Sequence, residues 1–562
     1  MNNKKYLLII FTSLSILFVP GFTQAQSTHV IVDLNQRTGG MKPIWAWFGY
    51  DEPNYTYMKN GKKLLTEMSQ FSYTPINVRV HNLLTTGDGT PALKWGSTNI
   101  YTEDSHGNPI YSWSIIDHIF DTYLERGMRP LVQIGFMPEA LSTNPTPYQH
   151  SWKPGAHYDD IYTGWSYPPN DHDKWRELIY QWALHCKERY GEEEASSWFW
   201  EVWNEPENYF RGTFEDYCKL YDYAADGLLK ALPNARIGGP HSCGPRGKNA
   251  RAFLTRFLEH CLRGKNYATG KIGSPLHYIG FHAKGHPRLV DGKVRMNLGG
   301  QLSDVDYGFA TVASFPEFKH LPIIIGEFDP DACAACSEDY SPQNAYRNGT
   351  LFSSTVAISF ARLYSLAQKH GVNLEGAVTW SFSFEDQPWF AGFRDLYTNG
   401  VAKPVLNTFR MFGLMGGELV EAHSSRMLPT DSICKNSVRD QADIGVLASR
   451  KEHESTIMLW NYHDDNITDV SPAEIVLDVK GIKSKQVLII HYRIDENHSN
   501  SFTVWKEMGS PQQPTAEQLK VLERSGELQT YTSPTWQKVM EEKIEISVEL
   551  PRQGVSLIKI EW

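Results

Sequence analysis

Two glutamates stand where an apolar run stops abruptly. The stretch Trp198-Phe199-Trp200-Glu201-Val202-Trp203-Asn204-Glu205-Pro206 reads as a buried strand, ended by a proline that lacks the backbone donor a ladder needs. Ile323-Ile324-Ile325-Gly326-Glu327 is a second strand with the same ending. A carboxyl sheltered by Trp200 and Trp203 has its charged form penalised, which lifts its pKa toward that of a general acid working near neutrality. Two opposed carboxyls suit glycosidic bonds: one protonates the leaving oxygen and the other acts at the anomeric carbon. A gap of about 5–5.5 Å between them means retention of configuration. Each glutamate also has a plainer reading, Glu205 as a cap on the following loop and Glu327 as a buried partner of Arg79. Their pairing at two strand ends favours the chemistry.

Such residues need a frame that brings strand ends together. From about residue 43 the chain repeats apolar strand, polar or aromatic lip and amphipathic helix. The strands fall at 44–49, 77–81, 130–135, 198–205, 235–240, 278–282, 321–327 and 374–380, which makes eight. The helix after the fourth has Phe214, Tyr217, Cys218, Tyr221, Ala225 and Leu228 at core spacing, with Thr213 as N-cap and Asp216 three residues on. Eight strand–helix units predict an α/β fold, a (β/α)8 barrel over residues 43–414 whose C-terminal lip carries the site. Past residue 415 the segments alternate and helices thin out, which predicts an antiparallel β-sandwich over 415–562. The strand His29–Asp33, within an N-terminal piece spanning 26–42, is expected to join it. Polar residues around 495–530, with one helical piece near 515–523, are expected to form a long ordered loop returning to the barrel.

The chain has 562 residues, too many for one ordinary domain. Its 17 Trp and 28 Tyr suit a sugar-stacking cleft as well as a core, and the net charge of −10 argues against nucleic acid or an anionic membrane as partner. Residues 1–25 have the charged start, short apolar centre and Thr-Gln-Ala end of a secretory signal, so export and a mature start at Gln26 are expected. Seven cysteines leave at least one without a partner in the chain. Cys333-Ala334-Ala335-Cys336 has the spacing of a redox or zinc half-site. With no second pair it reads as a local disulfide or two thiols. No cluster with metal-ligand spacing, phosphate loop or Ser-His-Asp pattern competes, so neither metal nor cofactor is expected.

Glu-Val-Trp-Asn-Glu-Pro paired with a strand-seven Glu resembles the retaining barrel glycosidases, and within them glycoside hydrolase family 39, which holds β-xylosidases and α-L-iduronidase. His498-Ser-Asn-Ser-Phe-Thr-Val-Trp505 resembles that family's barrel-embracing loop. The resemblance spans about residues 29–562. It implies an exo-acting retaining hydrolase with Glu205 as acid/base and Glu327 as nucleophile. Asn204 then matches the asparagine that meets the sugar 2-hydroxyl. His81 and His282 match positions lining the sugar subsite, Asp386 an aspartate that binds ring hydroxyls, and Trp380 a stacking tryptophan. Phe281-His282-Ala283-Lys284-Gly285 resembles the iduronidase-like branch, where a lysine meets a substrate carboxylate; the xylosidase-like branch tends to carry tyrosine there. A uronide is therefore the expected sugar, with a neutral pentoside or a catalytically inactive carbohydrate-binding protein as alternatives. Asp331-Ala332-Cys333-Ala334-Ala335-Cys336 matches neither branch.

Overall fold

The computed structural model describes residues 27–467 and 469–562. The expected signal segment lies outside the described residues. Nine mostly buried strands form one parallel sheet that nearly closes on itself. In chain order its strands are Trp47–Tyr50, Asn77–Val80, Arg129–Ile134, Phe199–Val202, Arg236–Ser242, Tyr278–Lys284 and Pro322–Asp329, called strands one to seven below. The eighth is split. Asn373–Ala377 pairs with strand seven, and Thr379–Trp380 pairs with strand one through Thr379↔Phe48 and Trp380↔Gly49. Gly49 is required at that seam, because a Cβ there would lie 2.4 Å from the Trp380 ring.

Helices such as Phe214–Ala231 cover the outside of this sheet, opened by Thr213, whose hydroxyl and Asp216 form a capping box. Strand alternation decides what enters the centre. Glu201 faces inward to Arg79, so its neighbour Trp200 turns outward and packs edge-on against Trp182 of the helix layer, 5.5 Å between ring centroids. Trp203 packs on Phe136 and Phe210. The two tryptophans expected to shelter Glu205 thus belong to the core around it and do not line its cavity.

A second, curled sheet of ten strands gathers the rest of the chain. It is antiparallel except where Thr28–Gly40 enters between Glu418–Ser424 and Ala473–Lys480, pairing parallel with the latter. The N-terminal strand joins this sheet as expected, though not in a purely antiparallel order. Residues 501–525 return to the first sheet as two helices, Ser501–Glu507 and Ala516–Ser525, of which only the second was expected; Thr515 and Gln518 open it with a capping box. Trp505 and Leu522 pack with Phe390 and Val401, anchoring the excursion to the segment that follows strand eight.

Candidate active site

The C-terminal lip of the parallel sheet surrounds a cavity of about 680 Å³, counting its open mouth. Its polar floor holds Glu205, Glu327, Asn204, His81 and Lys284, and Trp380 forms one wall. Glu205 is carried by a sharp backbone turn. Trp203 (φ 69°) and Glu205 (φ 40°) both adopt the left-handed region, which costs non-glycine residues about 1–3 kcal/mol each. Pro206 then starts the short helix Pro206–Tyr209 at the one helical position where its missing donor is harmless. The Glu205 N–H donates to the His241 carbonyl at 3.0 Å, and its carbonyl accepts from Asn208 and Tyr209. The strain and the bonds together aim the carboxyl into the cavity.

Glu327 comes in along strand seven behind three isoleucines that are wholly buried. Arg79 sits at the centre of the barrel floor. It donates to Glu201 at 2.9 Å, to Asn204 Oδ1 at 2.8 Å and to Glu327 Oε1 at 3.3 Å. Fixing the Asn204 oxygen this way leaves its amide N–H₂ for a ligand. Lys284 Nζ donates to Glu327 Oε2 at 2.6 Å and to Asp329 Oδ2 at 3.0 Å. His282 Nδ1 lies 2.7 Å from Glu205 Oε1. One atom each of Glu205, His282 and Glu327 fall within 4.8 Å of one another. That puts the two carboxylates in the close-set class, not in the class spaced about 6.5–9.5 Å to admit a water. A cation would find this donor set occupied, since His282 serves Glu205, while Lys284 and Arg79 already balance Glu327.

The two carboxyls are driven apart in acidity. Burial, and then the charge of Glu327, push Glu205 up to about 7. Burial would raise Glu327 too, but Lys284, His282 and Arg79 outweigh it and hold it well below the usual carboxylate range. Glu205 is therefore protonated and Glu327 ionised in slightly acidic water, a split of acidity that suits an acid beside a nucleophile. For a substrate with a poor leaving group, kcat/KM is expected to be full below the Glu205 pKa and to fall as pH rises through about 7. A pH–rate profile checks this; a plateau persisting to pH 9 contradicts it.

The remaining expected residues separate into two groups. His81 lines the cavity, with Nδ1 2.9 Å from Asp51 Oδ1, and its ring lies 4.4 Å from that of Trp380. Asp386 does not reach the cavity. It is exposed on a separate depression beside Trp389 and Gln512. The loop after strand eight turns outward there, Asp386 itself taking φ 60° and Glu385 accepting the Asn60 N–H. His282 is fully buried and stands behind the carboxyl pair, off the cavity wall, so its part is to hold Glu205.

Several residues of the site carried no legible signal. Asp51 pairs with Lys94, which comes from a loop 43 positions away in sequence. Lys94 and His81 overcome burial and keep Asp51 well below its ordinary pKa. Tyr158, Trp165 and Tyr209 line the cavity on the Glu205 side. Cys333 and Cys336 form a local disulfide, where the sequence left open a disulfide or two thiols. Their loop is pinned where Asp331 accepts from Arg347 and Arg394, and it brings Ala332 to the cavity rim.

A nearly closed parallel sheet with two close-set glutamates of split acidity at its C-terminal lip is the machinery of a glycoside hydrolase. The chain belongs to glycosyl hydrolases family 39, whose model matches residues 30–538. It is 26% identical to a β-xylosidase of Geobacillus stearothermophilus over 519 residues, 89% of this chain and 88% of that protein. It is also 26% identical to the α-L-iduronidase of Mus musculus over 381 residues, 62% of this chain and 56% of that protein. Among solved structures, a bacterial orthologue of human α-L-iduronidase superposes with a TM-score of 0.74 over 95% of this chain and 84% of that one, at 18% identity, a likeness of fold. The protein is therefore a glycosidase, and its relatives divide between the two sugars.

Proposed function

We propose that this protein is an exo-acting retaining glycosidase, a (β/α)8 barrel over residues 43–414 with a β-sandwich over 415–562, in which Glu205 is the acid/base and Glu327 the nucleophile. The opposed protonation of two close-set carboxyls carries the reading. In the first step a Glu327 oxygen bonds to the anomeric carbon, the C1–O bond breaks, and the Glu205 proton goes to the leaving oxygen. In the second, Glu205 takes a proton from water as that water attacks C1 and releases Glu327. Asn204 is placed to donate to the sugar 2-hydroxyl, and Trp380 to stack on the ring.

The sugar is proposed to be a uronide. An ammonium has three N–H donors, and Lys284 spends two on Glu327 and Asp329, so one remains for a sugar carboxylate at the cavity floor. A neutral pentoside is the second reading, favoured by the greater share of the chain that aligns with the Geobacillus β-xylosidase. A panel of 4-nitrophenyl glycosides decides between them. Turnover of the α-L-iduronide at least about 10-fold above the β-D-xyloside is expected, because a charge-assisted bond is worth about 1.5–3 kcal/mol. The reverse order makes the protein a xylosidase. We also propose export with a mature start at Gln26, which mass spectrometry of the secreted protein tests.

A further inference from the structure

We propose that Asp329 is a positioning residue that keeps Lys284 an ammonium throughout the reaction cycle, while the charge on Glu327 comes and goes. The proposal rests on Glu327 being the nucleophile. Asp329 lies two residues beyond Glu327 on the same strand and so faces the same side. It is 1% exposed, and both of its oxygens are committed. Oδ2 accepts from Lys284 Nζ at 3.0 Å, with Arg394 Nη2 at 3.6 Å. Oδ1 accepts the backbone N–H of Trp380 at 2.9 Å. One buried carboxylate thereby ties strand six, strand seven and the tryptophan of strand eight.

The cycle changes the neighbours of Lys284. At rest, its ammonium is shared by Glu327 and Asp329. When Glu327 becomes a glycosyl ester it turns neutral, and the negative charge passes to Glu205, whose carboxyl makes no ion pair with Lys284 among the described residues. Lys284 is 3% exposed, and a buried ammonium without a contacting anion gives up its proton. A uronide's own carboxylate would add to this hold, and with a neutral sugar the other groups facing the ammonium do not replace Asp329. Arg394 pushes the proton off, and Glu205 favours keeping it only from a distance. Asp304 is engaged with the Lys284 backbone N–H and the Arg246 backbone N–H, while His286 and Cys243 line the same cavity without bonding the ammonium. A carboxylate at 329 leaves Lys284 charged to receive the Glu327 carboxylate as it departs in the second step.

The test compares two pH profiles of Asp329→Asn, using the dinitrophenyl β-D-xyloside, a neutral sugar that brings no carboxylate of its own to Lys284. This leaving group needs no proton from Glu205. In kcat/KM the free enzyme still pairs Lys284 with Glu327, so its alkaline limb should barely move. In kcat, limited by the glycosyl-enzyme, the alkaline limb should fall by about 1–3 pH units. Asp329→Glu, which restores the charge, should bring it back. A loss that moves both limbs together, or neither, overturns the proposal and makes Asp329 structural. Should Asp329→Asn fail to fold, the wild-type enzyme still answers. Trapped at pH 8 with the matching 2-deoxy-2-fluoro dinitrophenyl glycoside, it should release no proton from Lys284, and release of one overturns the inference. Mass spectrometry of the trapped enzyme keeps the two questions apart, since a label away from Glu327 removes the nucleophile assignment itself.

Discussion

Glu327→Gln is expected to lower turnover of a dinitrophenyl glycoside by about 10⁴-fold or more, the order lost when a covalent nucleophile is removed. An amide cannot carry the glycosyl ester, so the loss falls on activated and unactivated substrates alike. The substitution is nearly isosteric. Its Oε1 can still accept from Arg79, now 3.3 Å away, but the Lys284 ammonium, now 2.6 Å from Oε2, meets an amide nitrogen or forces a flip. Asp329 still neutralises Lys284, so the fold should survive, which a circular-dichroism melt will establish. Steady-state rates together with intact-mass measurement after incubation with a 2-deoxy-2-fluoro glycoside then read the chemistry. Wild type should gain one glycosyl unit on the peptide carrying Glu327, and the variant none. Turnover within about 10-fold of wild type would require another nucleophile.

The frame of this site was legible because its signals are local. Each strand announces itself by an apolar run and a polar lip, and Glu205 and Glu327 are readable as strand ends in the residues next to them. Lys284 was legible as a cavity residue, but its two carboxylate partners come from strand seven and could be assigned only once strands six and seven lay side by side. Glu201 stood in plain view inside the decisive stretch. Period-two alternation would have turned it inward and Trp200 outward, since a charge in a barrel centre must find a partner such as Arg79. Asp51 with Lys94 was beyond sequence reasoning, because nothing local marks a loop lysine as the partner of a strand-end aspartate. Asp386 was misplaced for the opposite reason. Its resemblance to a family aspartate that binds ring hydroxyls suggested nearness to the sugar, yet a left-handed residue and the anchoring of Glu385 on the Asn60 N–H carry the loop away. The parallel pairing of Thr28–Gly40 likewise depends on which edge of the second sheet stands open when that strand arrives, and a single strand does not encode this.

Glu205→Ala is expected to separate substrates by their leaving group. Protonation of the leaving oxygen by a placed acid is worth roughly 10²–10⁴-fold. A 4-methoxyphenyl or alkyl glycoside should lose that whole factor in kcat/KM, while a dinitrophenyl glycoside, whose phenolate leaves unaided, should lose little. The second step needs Glu205 as a base for every substrate, so with the dinitrophenyl glycoside kcat should fall and the glycosyl-enzyme accumulate as a burst. The space vacated by the carboxyl adjoins the donor Asn208 Nδ2 and opens on the cavity, room that suits a small anion. Azide should therefore restore kcat on the dinitrophenyl substrate and give a glycosyl azide of retained configuration, because it enters from the face the leaving group left. The alkaline limb near pH 7 should vanish from kcat/KM with the group that causes it. Equal losses on both substrate classes, or an azide product of inverted configuration, would mean that the proton comes from elsewhere. Glu207 would be the next carboxyl to consider, since burial and the neighbouring Glu205 push it up to about 8. It does not line the cavity, however, and its Oε1 already accepts the Cys243 N–H, so of the two carboxyls only Glu205 faces the cavity.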